Sequence, residues 1–504
     1  MLTASMTIDP DFQVAEVRRR TFGSFVEHLG RCVYTGIFEP GHDTADEDGL
    51  RSDVLDLVRE MGVTVVRYPG GNFVSGYQWE DGIGPLDQRP ARLDSAWHSL
   101  ETNAFGIAEF VNWARKADVE VMQALNLGTR GVQDAVNLLE YCNHEGGSYW
   151  SDLRIAHGHR DPFDIKLWCL GNELDGPWQM GHKTADEYGR LAAETARAMR
   201  MFDPDLELVA CGSSHSGMPT FGSWEATVLE HAYDQVDYVS LHAYYQEHDG
   251  DMRSFLASAL DMESFIDSVI STADHVRAKT GARKRINLSF DEWNVWYISR
   301  FQDLEPMTDW PVAPALIEDV YNVADAVVVG TLLITLLRHS DRVTAACQAQ
   351  LVNAIAPIHA EPGGPAWRHT TFYPFAQASR FARGNVLRVE PKTPSYSSER
   401  YGDTPVTDAV ATHDEDAGEL AVFAVNRDLD EEVALSLGLR AFPGYRLVEH
   451  LTISDDDIHA VNTLEQPDRV TPSSRVVSGE PSDSVEVVLP AVSWNVLRFE
   501  RTTS

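Results

Sequence analysis

The sequence predicts an α/β protein with a (β/α)8 TIM barrel followed by an all-β sandwich. Eight short β-type runs alternate with longer helical patterns through the first three quarters of the 504 residues, as is typical of a parallel barrel. After residue 383 the helical periodicity disappears, and acidic or turn-forming clusters separate short alternating strands. We therefore expect a barrel over 18–383 and a sandwich formed by 1–17 together with 384–504.

The barrel elements follow in order along the chain. Its strands are predicted at 23–27, 63–68, 120–127, 166–170, 207–211, 238–242, 286–290 and 343–347. Helices, with apolar residues three and four positions apart, are predicted at 50–61, 104–117, 185–201, 225–233, 262–280 and 314–337. A doubly wound open sheet is the competing interpretation, but the glycine-rich phosphate turn that usually follows its first strand is absent from the sequence.

The sandwich is predicted from a different pattern. Its strands are expected at 407–412, 420–425, 433–437, 445–451, 484–488 and 493–499. The opening segment 7–17 also has a strand-like pattern, and we expect it to pair with this second domain.

Composition excludes several classes of partner. The formal net charge of −36 repels phosphate backbones, so we expect no nucleic acid and no anionic membrane as partner. Five dispersed cysteines predict reduced thiols rather than a disulfide framework or a metal site. The N-terminus shows no secretory signal, and the longest apolar stretch, 326–337, is too short to span a bilayer. These patterns predict a soluble cytoplasmic protein.

Polar residues follow the predicted barrel strands. In chain order they are Glu27 and His28, Arg67 to Asn72, Asn126, Asn172 and Glu173, Ser213 to His215, His242 and Tyr244, Glu292, and Gln348 and Gln350. In a (β/α)8 barrel, reactive groups gather on the loops at the carboxyl ends of the strands. The pattern therefore predicts one functional rim.

Two glutamates in this set suggest glycoside cleavage. Glu173 and Glu292 follow strands four and seven, whose ends face each other across the barrel. A retaining glycosidase places its two carboxyl groups about 5–5.5 Å apart and an inverting one about 6.5–9.5 Å apart. We expect Glu292 to be the ionised nucleophile, beside Arg67, His242 and Tyr244 as donors. We expect Glu173 to be the acid/base, partly desolvated by Trp178 and Trp296.

Six segments resemble the α-L-arabinofuranosidases of glycoside hydrolase family 51, in clan A. They are FGSFVEHLG at 22–30, RYPGGNFVSGY at 67–77, GNELDGPWQ at 171–179, SLHAYY at 240–245, DEWNVWY at 291–297 and QLVNAIAP at 350–357. The resemblance implies a C-terminal sandwich of jelly-roll type, a retaining mechanism without cofactor or metal, and a homo-oligomer, commonly a hexamer. It further implies that Glu27, Asn72, Asn172, Tyr244 and Gln350 bind the furanose hydroxyls, with support from Arg67, Trp97, His242 and Trp296.

The expected activity is exo-hydrolysis of terminal α-L-arabinofuranosyl residues from arabino-oligosaccharides. Another retaining clan A enzyme, a β-xylosidase or an endo-glucanase, is the nearest alternative. A catalytically silent sugar-binding protein is the alternative from another class. The sequence leaves open the preferred linkage, whether α-1,2, α-1,3 or α-1,5.

Overall fold

The computed structural model describes residues 1–305 and 307–502. Its strands are β1 Leu2–Thr7, β2 Gln13–Glu16, β3 Gly23–Phe25, β4 Val65–Tyr68, β5 Arg92–Asp94, β6 Ser99–Glu101, β7 Glu120–Ala124, β8 Leu167–Leu170, β9 Glu207–Ala210, β10 Tyr238–Tyr245, β11 Asn287–Val295, β12 Val343–Ala349, β13 Ile358–Ala360, β14 Ala366–Arg368, β15 Asn385–Leu387, β16 Ser395–Ser398, β17 Gly402–Pro405, β18 Thr407–Asp414, β19 Glu419–Asn426, β20 Val433–Gly438, β21 Tyr445–Ile453, β22 Ser473–Val476, β23 Ser484–Leu489 and β24 Ser493–Arg501. Its α-helices are α1 Ser52–Met61, α2 Ile107–Ala117, α3 Val132–Asn143, α4 Tyr149–Ala156, α5 Ala185–Phe202, α6 Ser223–Ala232, α7 Met252–Leu256, α8 Ala259–Thr280, α9 Ile298–Gln302, α10 Val323–Arg338 and α11 Phe372–Phe381.

Eight parallel strands close into a barrel, as the sequence predicts. The order around the barrel is β3, β4, β7, β8, β9, β10, β11 and β12, with β12 pairing back to β3. Each of the eight predicted strands is present, and the barrel prediction is confirmed. β10 and β11 extend farther than predicted, to Tyr245 and Val295, so that Tyr244 and Glu292 lie within strands rather than after them.

One predicted helix boundary is wrong. The pattern predicts a helix from residue 314, but α10 begins only after Asn322. The side chain of Asn322 accepts from the backbone N–H of Asp325 at 3.0 Å, and Asp325 accepts from the N–H of Asn322 at 2.8 Å, which fixes the helix start. Upstream, Ile317 has a φ of +47° and cannot belong to an α-helix. α3 and α4, between strands three and four, were not among the predicted helices.

The sandwich consists of a seven-stranded and a three-stranded sheet. The larger sheet has the order β2, β15, β18, β19, β24, β21 and β22, and the smaller has the order β1, β20 and β23. All six predicted sandwich strands are present. The N-terminal segment pairs with both sheets, because β1 joins β20 and β2 joins β15. α11 ends at Phe381 and β15 begins at Asn385; the residue limits of the two domains stay a prediction.

The barrel and the sandwich pack through α10. This helix is apolar almost throughout and buried from Val323 to Leu337, as the sequence predicts for 326–337. Trp494 of β24 packs on it and donates its indole N–H to Gln377 of α11 at 2.8 Å. Gly330 of α10 gives the indole its space, since an added Cβ would overlap the ring of Trp494.

We expect Gly330→Ala to destabilise this contact. Overpacking of a rigid buried site costs about 1–3 kcal/mol, so the midpoint of thermal unfolding should fall. The control is a double-mutant cycle with Trp494→Phe, measured by calorimetry. The double variant should lose less stability than the sum of the single variants, because the smaller ring relieves part of the overlap. Strict additivity would contradict the assigned contact.

Across residues 1–305 and 307–502, the structure contains no helix with the length and apolar character that a membrane crossing requires.

Candidate active site

Glu173 lies directly after β8, where the backbone turns sharply. Gly171 and Glu173 have φ values of +100° and +44°, both in the left-handed region. A left-handed conformation is unfavourable for a residue with a Cβ, and strained residues of this kind cluster at active sites. Here it accompanies a turn that keeps the Glu173 side chain buried at the rim.

The structure brings Glu173 and Glu292 together. One oxygen of each carboxyl group and one ring nitrogen of His242 lie within 4.8 Å of one another. Both glutamates are buried, although β8 and β11 are separated by two strands on one side of the barrel. Nearest oxygens this close favour the separation of about 5–5.5 Å found in retaining glycosidases over the about 6.5–9.5 Å found in inverting enzymes.

Glu292 accepts hydrogen bonds on both oxygens. Arg67 of β4 donates to Oε1 at 2.7 Å, and the Tyr244 hydroxyl donates to Oε2 at 2.9 Å. Arg67 also donates to Asn172 at 2.6 Å and lies over the ring of Phe25, 5.0 Å from its centroid. A fixed cation and a phenol thus solvate this carboxylate in place of water.

Glu173 has different partners. The indole N–H of Trp178 donates to Oε2 at 2.8 Å, and Nδ1 of His242 lies 2.9 Å from Oε1. Burial raises the pKa of the Glu173 carboxyl; the hydrogen bond from His242 opposes this, and the charge of Glu292 adds to it. The net effect is a raised pKa, as a general acid requires. Trp178 itself is 49% exposed, so this partner of the buried Glu173 carboxyl group is in contact with solvent.

A second buried cluster surrounds Glu27. Its carboxylate accepts from the backbone N–H of Phe73 at 2.9 Å, the indole N–H of Trp97 at 2.8 Å and the Gln350 amide at 3.0 Å. Burial raises the pKa of Glu27 to about 8, although the Phe73 and Trp97 hydrogen bonds oppose the shift. A Cβ on Gly70 or Gly71 would come within 2.8 Å of the Glu27 side chain, so only glycine permits this close approach.

The remaining predicted binding residues line the same rim. Asn72 begins a short 3-10 turn directly after the two glycines and is half-buried. Within the described part of the chain, the buried Asn172 Nδ2 has no hydrogen-bond partner, so it is free to bind a hydroxyl group. Trp296 packs edge-on against Tyr244, with ring centroids 5.1 Å apart. Phe301, which the sequence did not single out, contacts both indoles: its ring centroid is 6.2 Å from that of Trp296 and 6.1 Å from that of Trp97.

Family models match both parts of the chain. The α-L-arabinofuranosidase 1 domain matches residues 57–255, and the α-L-arabinofuranosidase C-terminal domain matches residues 291–493. An intracellular exo-α-(1→5)-L-arabinofuranosidase of Streptomyces lividans is 58% identical over 500 residues, 99% of this chain and 75% of the relative. The solved structure of a family 51 α-L-arabinofuranosidase from Bifidobacterium longum is 50% identical, with a TM-score of 0.94 over 99% of this chain and all of that one. The chain belongs to the α-L-arabinofuranosidases of glycoside hydrolase family 51.

Relatives of this family 51 protein differ in the linkage that their names give. An exo-α-(1→6)-L-arabinofuranosidase of Bifidobacterium longum is 53% identical over 509 residues, which cover 98% of this chain and 97% of the relative. The comparisons therefore establish the family. They do not assign a linkage, because relatives named for two different linkages are about equally similar to this chain.

Some rim residues of this family 51 protein have structural partners instead. The Asn126 amide donates to the Tyr77 carbonyl at 2.9 Å, and the Gln348 amide donates to Asn294 at 3.1 Å. The backbone N–H of Ser214 donates to the buried carboxylate of Asp175. Nδ1 of the His28 imidazole is hydrogen-bonded to the buried carboxylate of Glu101.

The sequence analysis missed Asp291, although it directly precedes Glu292. Its Oδ1 lies 2.9 Å from Nε2 of His242, so both ring nitrogens of that histidine face carboxyl groups. The pairing of β11 with both of its neighbours shifts register at this position. The resulting bulge lets Asp291 and Glu292, consecutive in sequence, contact the same imidazole.

Proposed function

We propose that this protein is an exo-acting, retaining α-L-arabinofuranosidase that releases terminal non-reducing arabinofuranosyl residues from arabino-oligosaccharides. The observation that carries the proposal is a pair of neighbouring carboxyl groups with opposite environments. Glu292 is held by Arg67 and Tyr244, whereas the pKa of Glu173 is raised by burial. Such a pair divides the nucleophile and acid roles of a double displacement.

In the first step, an oxygen of Glu292 attacks the anomeric carbon of the bound furanose. The bond from that carbon to the leaving oxygen breaks, and Glu173 transfers its proton to this oxygen. Tyr244 and Arg67 hold the attacking carboxylate in place. The products of the step are a free alcohol, an arabinosyl ester on Glu292 and an ionised Glu173.

In the second step, Glu173 takes a proton from water, and the water oxygen attacks the anomeric carbon. The ester bond breaks, and Glu292 leaves as a carboxylate. Two inversions at the same carbon give net retention. Each proton and bond in this scheme is handled by the two carboxyl groups and water, so the proposal requires no cofactor.

The cluster around Glu27 supports an exo mode of action. Trp97 and Gln350 each donate a hydrogen bond to Glu27 in the rim, and all three residues are buried. We propose that this buried cluster closes one end of the site, so that a terminal sugar is accepted and a continuing chain is excluded. We propose that Glu27, Asn72, Asn172, Tyr244 and Gln350 bind the furanose hydroxyls, because several converging polar contacts are needed to orient a small ring.

We propose the terminal α-L-arabinofuranosyl group as the recognised unit without assigning its linkage. The related enzymes named for α-(1→5) and α-(1→6) linkages are 58% and 53% identical to this chain. An intracellular location is also proposed, because the Streptomyces relative carries that word in its name. A homo-oligomer, hexameric by the family resemblance, is proposed as the assembly, and sedimentation velocity would test it.

Proton NMR of a nitrophenyl α-L-arabinofuranoside digest tests the proposal. We expect the α-anomer of arabinose to form first and then mutarotate. A β-anomer as first product would refute retention. Faster cleavage of a nitrophenyl β-xyloside or of cellulose would favour the alternative clan A activities. Binding of arabinose without turnover over days would favour a silent sugar-binding protein.

The pH profile should show the acid role of Glu173. This carboxyl must be protonated in the first step, and its pKa is raised by burial. For a substrate with a poor leaving group, kcat/KM should therefore stay high above the ordinary glutamate pKa and fall only as the pH rises through the raised value. A dinitrophenyl arabinofuranoside needs no proton on its leaving group and should lack this alkaline limb. The same limb with both substrates would contradict the assignment.

A further inference from the structure

The imidazole of His242 is held between two carboxyl groups that belong to different strands. Its Nδ1 lies 2.9 Å from Oε1 of Glu173, after β8, and its Nε2 lies 2.9 Å from Oδ1 of Asp291, on β11. A neutral imidazole has one donor and one acceptor nitrogen. A protonated Glu173 could donate to a bare Nδ1, but Oε2 of Glu292 lies 3.5 Å from the same nitrogen. A lone pair on Nδ1 would be repelled by the Glu292 carboxylate, so the geometry favours the imidazolium, which donates from both nitrogens.

Asp291 is built into the barrel as a fixed anion. Its side chain is completely buried. The Ser289 hydroxyl donates to Oδ2 at 3.0 Å, and the Cys169 thiol lies 3.9 Å from the same oxygen. Burial opposes ionisation, but the nearby charge of Arg67 and the His242 hydrogen bond lower the pKa of Asp291 overall. The side chain cannot reach a bound sugar directly, because His242 lies between it and Glu173.

We propose that Asp291 is a positioning residue of the reaction: it keeps His242 a doubly protonated donor, so that Glu173 and Glu292 share a single negative charge. This inference rests on the proposed roles of Glu173 and Glu292.

The charges around His242 balance at each stage of the cycle. The charged groups that face it are Glu173 from the β8 loop, Asp291 and Glu292 from β11, and, behind these carboxylates, Arg67 from β4. Before reaction, Arg67 and His242 are balanced by Asp291 and Glu292, while Glu173 is protonated. After the first step, Glu292 is an ester and Glu173 has given its proton to the leaving oxygen, so Asp291 and Glu173 balance the same two cations.

Without the charge of Asp291, the site would carry an excess positive charge. It would relieve this excess by losing a proton from Glu173 or from His242 at lower pH than in the wild type. In the first case the acid is lost directly. In the second case a neutral His242 accepts the Glu173 proton at Nδ1, and the leaving oxygen receives none. In both cases, the pH above which Glu173 can no longer protonate the leaving oxygen is lower than in the wild type.

The protonation state of His242 can be measured without substrate. Burial lowers the pKa of His242, but the charges of Glu292, Asp291 and Glu173 outweigh burial and raise it to about 10. NMR of protein labelled with 15N-histidine, assigned with His242→Asn, should therefore show both ring nitrogens protonated at neutral pH. A neutral His242 at pH 7 would overturn the proposal even if no Asp291 variant folds.

The kinetic test uses Asp291→Asn, which keeps the shape and removes the charge. We expect its alkaline limb of kcat/KM, with a poor leaving group, to move down by about one pH unit or more, and the His242 nitrogens to titrate at lower pH. Asp325→Asn, at a fully buried aspartate whose carboxyl group accepts from the backbone N–H of Asn322 at the start of α10, is the matched control and should keep the wild-type limb. A D291N limb that superimposes on the wild-type limb, or moves up, would overturn the proposal.

The two proposals fail differently. Inverted product or absence of arabinofuranoside cleavage would refute the proposed function and leave the histidine spectra unchanged. Normal retaining cleavage together with an unshifted D291N limb would refute only the role of Asp291.

Discussion

Replacing Glu292 with alanine is expected to lower kcat/KM for nitrophenyl α-L-arabinofuranoside by about 10⁴-fold or more, because the covalent intermediate can no longer form. The alanine also leaves the donors of Arg67 and Tyr244 without their carboxylate. Initial rates over a range of substrate concentrations, together with circular dichroism to check folding, would measure the effect. Turnover within about tenfold of the wild type would refute the nucleophile assignment.

Azide distinguishes a missing nucleophile from a damaged site. In the Glu292→Ala variant, azide can enter the vacated space and attack an activated arabinofuranoside from the face opposite the leaving group. The expected product is the β-arabinosyl azide, with inverted configuration. Glu247→Ala is a suitable control. Glu247 is a half-buried glutamate two residues after the end of β10, and the proposed mechanism gives it no role. Its rate should stay within about twofold of the wild type, as is usual for surface changes.

The architecture was predictable because each barrel strand is a short apolar run between longer helical patterns. That local signal marks where each strand lies, and the alternation marks the fold class. The start of α10 was predicted wrongly because Leu316, Ile317 and Val320 continue the helical spacing upstream. The hydrogen bonds between Asn322 and Asp325 fix the first turn of the helix. Spacing of apolar residues alone does not decide between a helix that starts at 314 and one that starts after 322.

The neighbours of the two glutamates were only partly predictable. Arg67 and Tyr244 follow from the rule that strand ends share one rim, and the structure places both against Glu292. The position of Asp291 could not follow from sequence, since regular alternation would turn it away from the side chain next to it. A bulge overrides this alternation, and nothing in a single sequence marks a bulge inside a buried strand.

The contacts of Glu27 illustrate the same limit at longer range. Its partners Trp97 and Gln350 are 70 and 323 positions away in the chain. By spacing alone, Glu27 is one of several polar residues that follow barrel strands, and its binding role is what the family resemblance implies. Two neighbouring glycines were the physical signal, because a pair of residues without Cβ at a strand end permits a side chain to pack against the backbone.

Replacing Glu173 with alanine should affect substrates according to their leaving group. For an arabino-oligosaccharide, whose leaving alcohol needs a proton, kcat/KM should fall by about 10²–10⁴-fold. For a dinitrophenyl arabinofuranoside, the first step needs no acid, so kcat/KM should change by less than about tenfold while kcat falls, because water now lacks its base. Steady-state kinetics on both substrates gives this comparison. Equal losses on both would indicate that Glu173 binds substrate rather than transferring a proton.

The stereochemistry of azide rescue completes this test, because it must be opposite to that of the Glu292 variant. In Glu173→Ala the ester on Glu292 still forms. Azide then attacks the anomeric carbon from the acid/base side, in the space beside Trp178 and His242 that the Glu173 carboxyl group occupies in the wild type. The product should be the α-arabinosyl azide, with retained configuration, and kcat should rise with azide concentration. An inverted azide from this variant would mean that the two carboxyl groups have exchanged roles, since only the residue that carries the ester determines which face remains open.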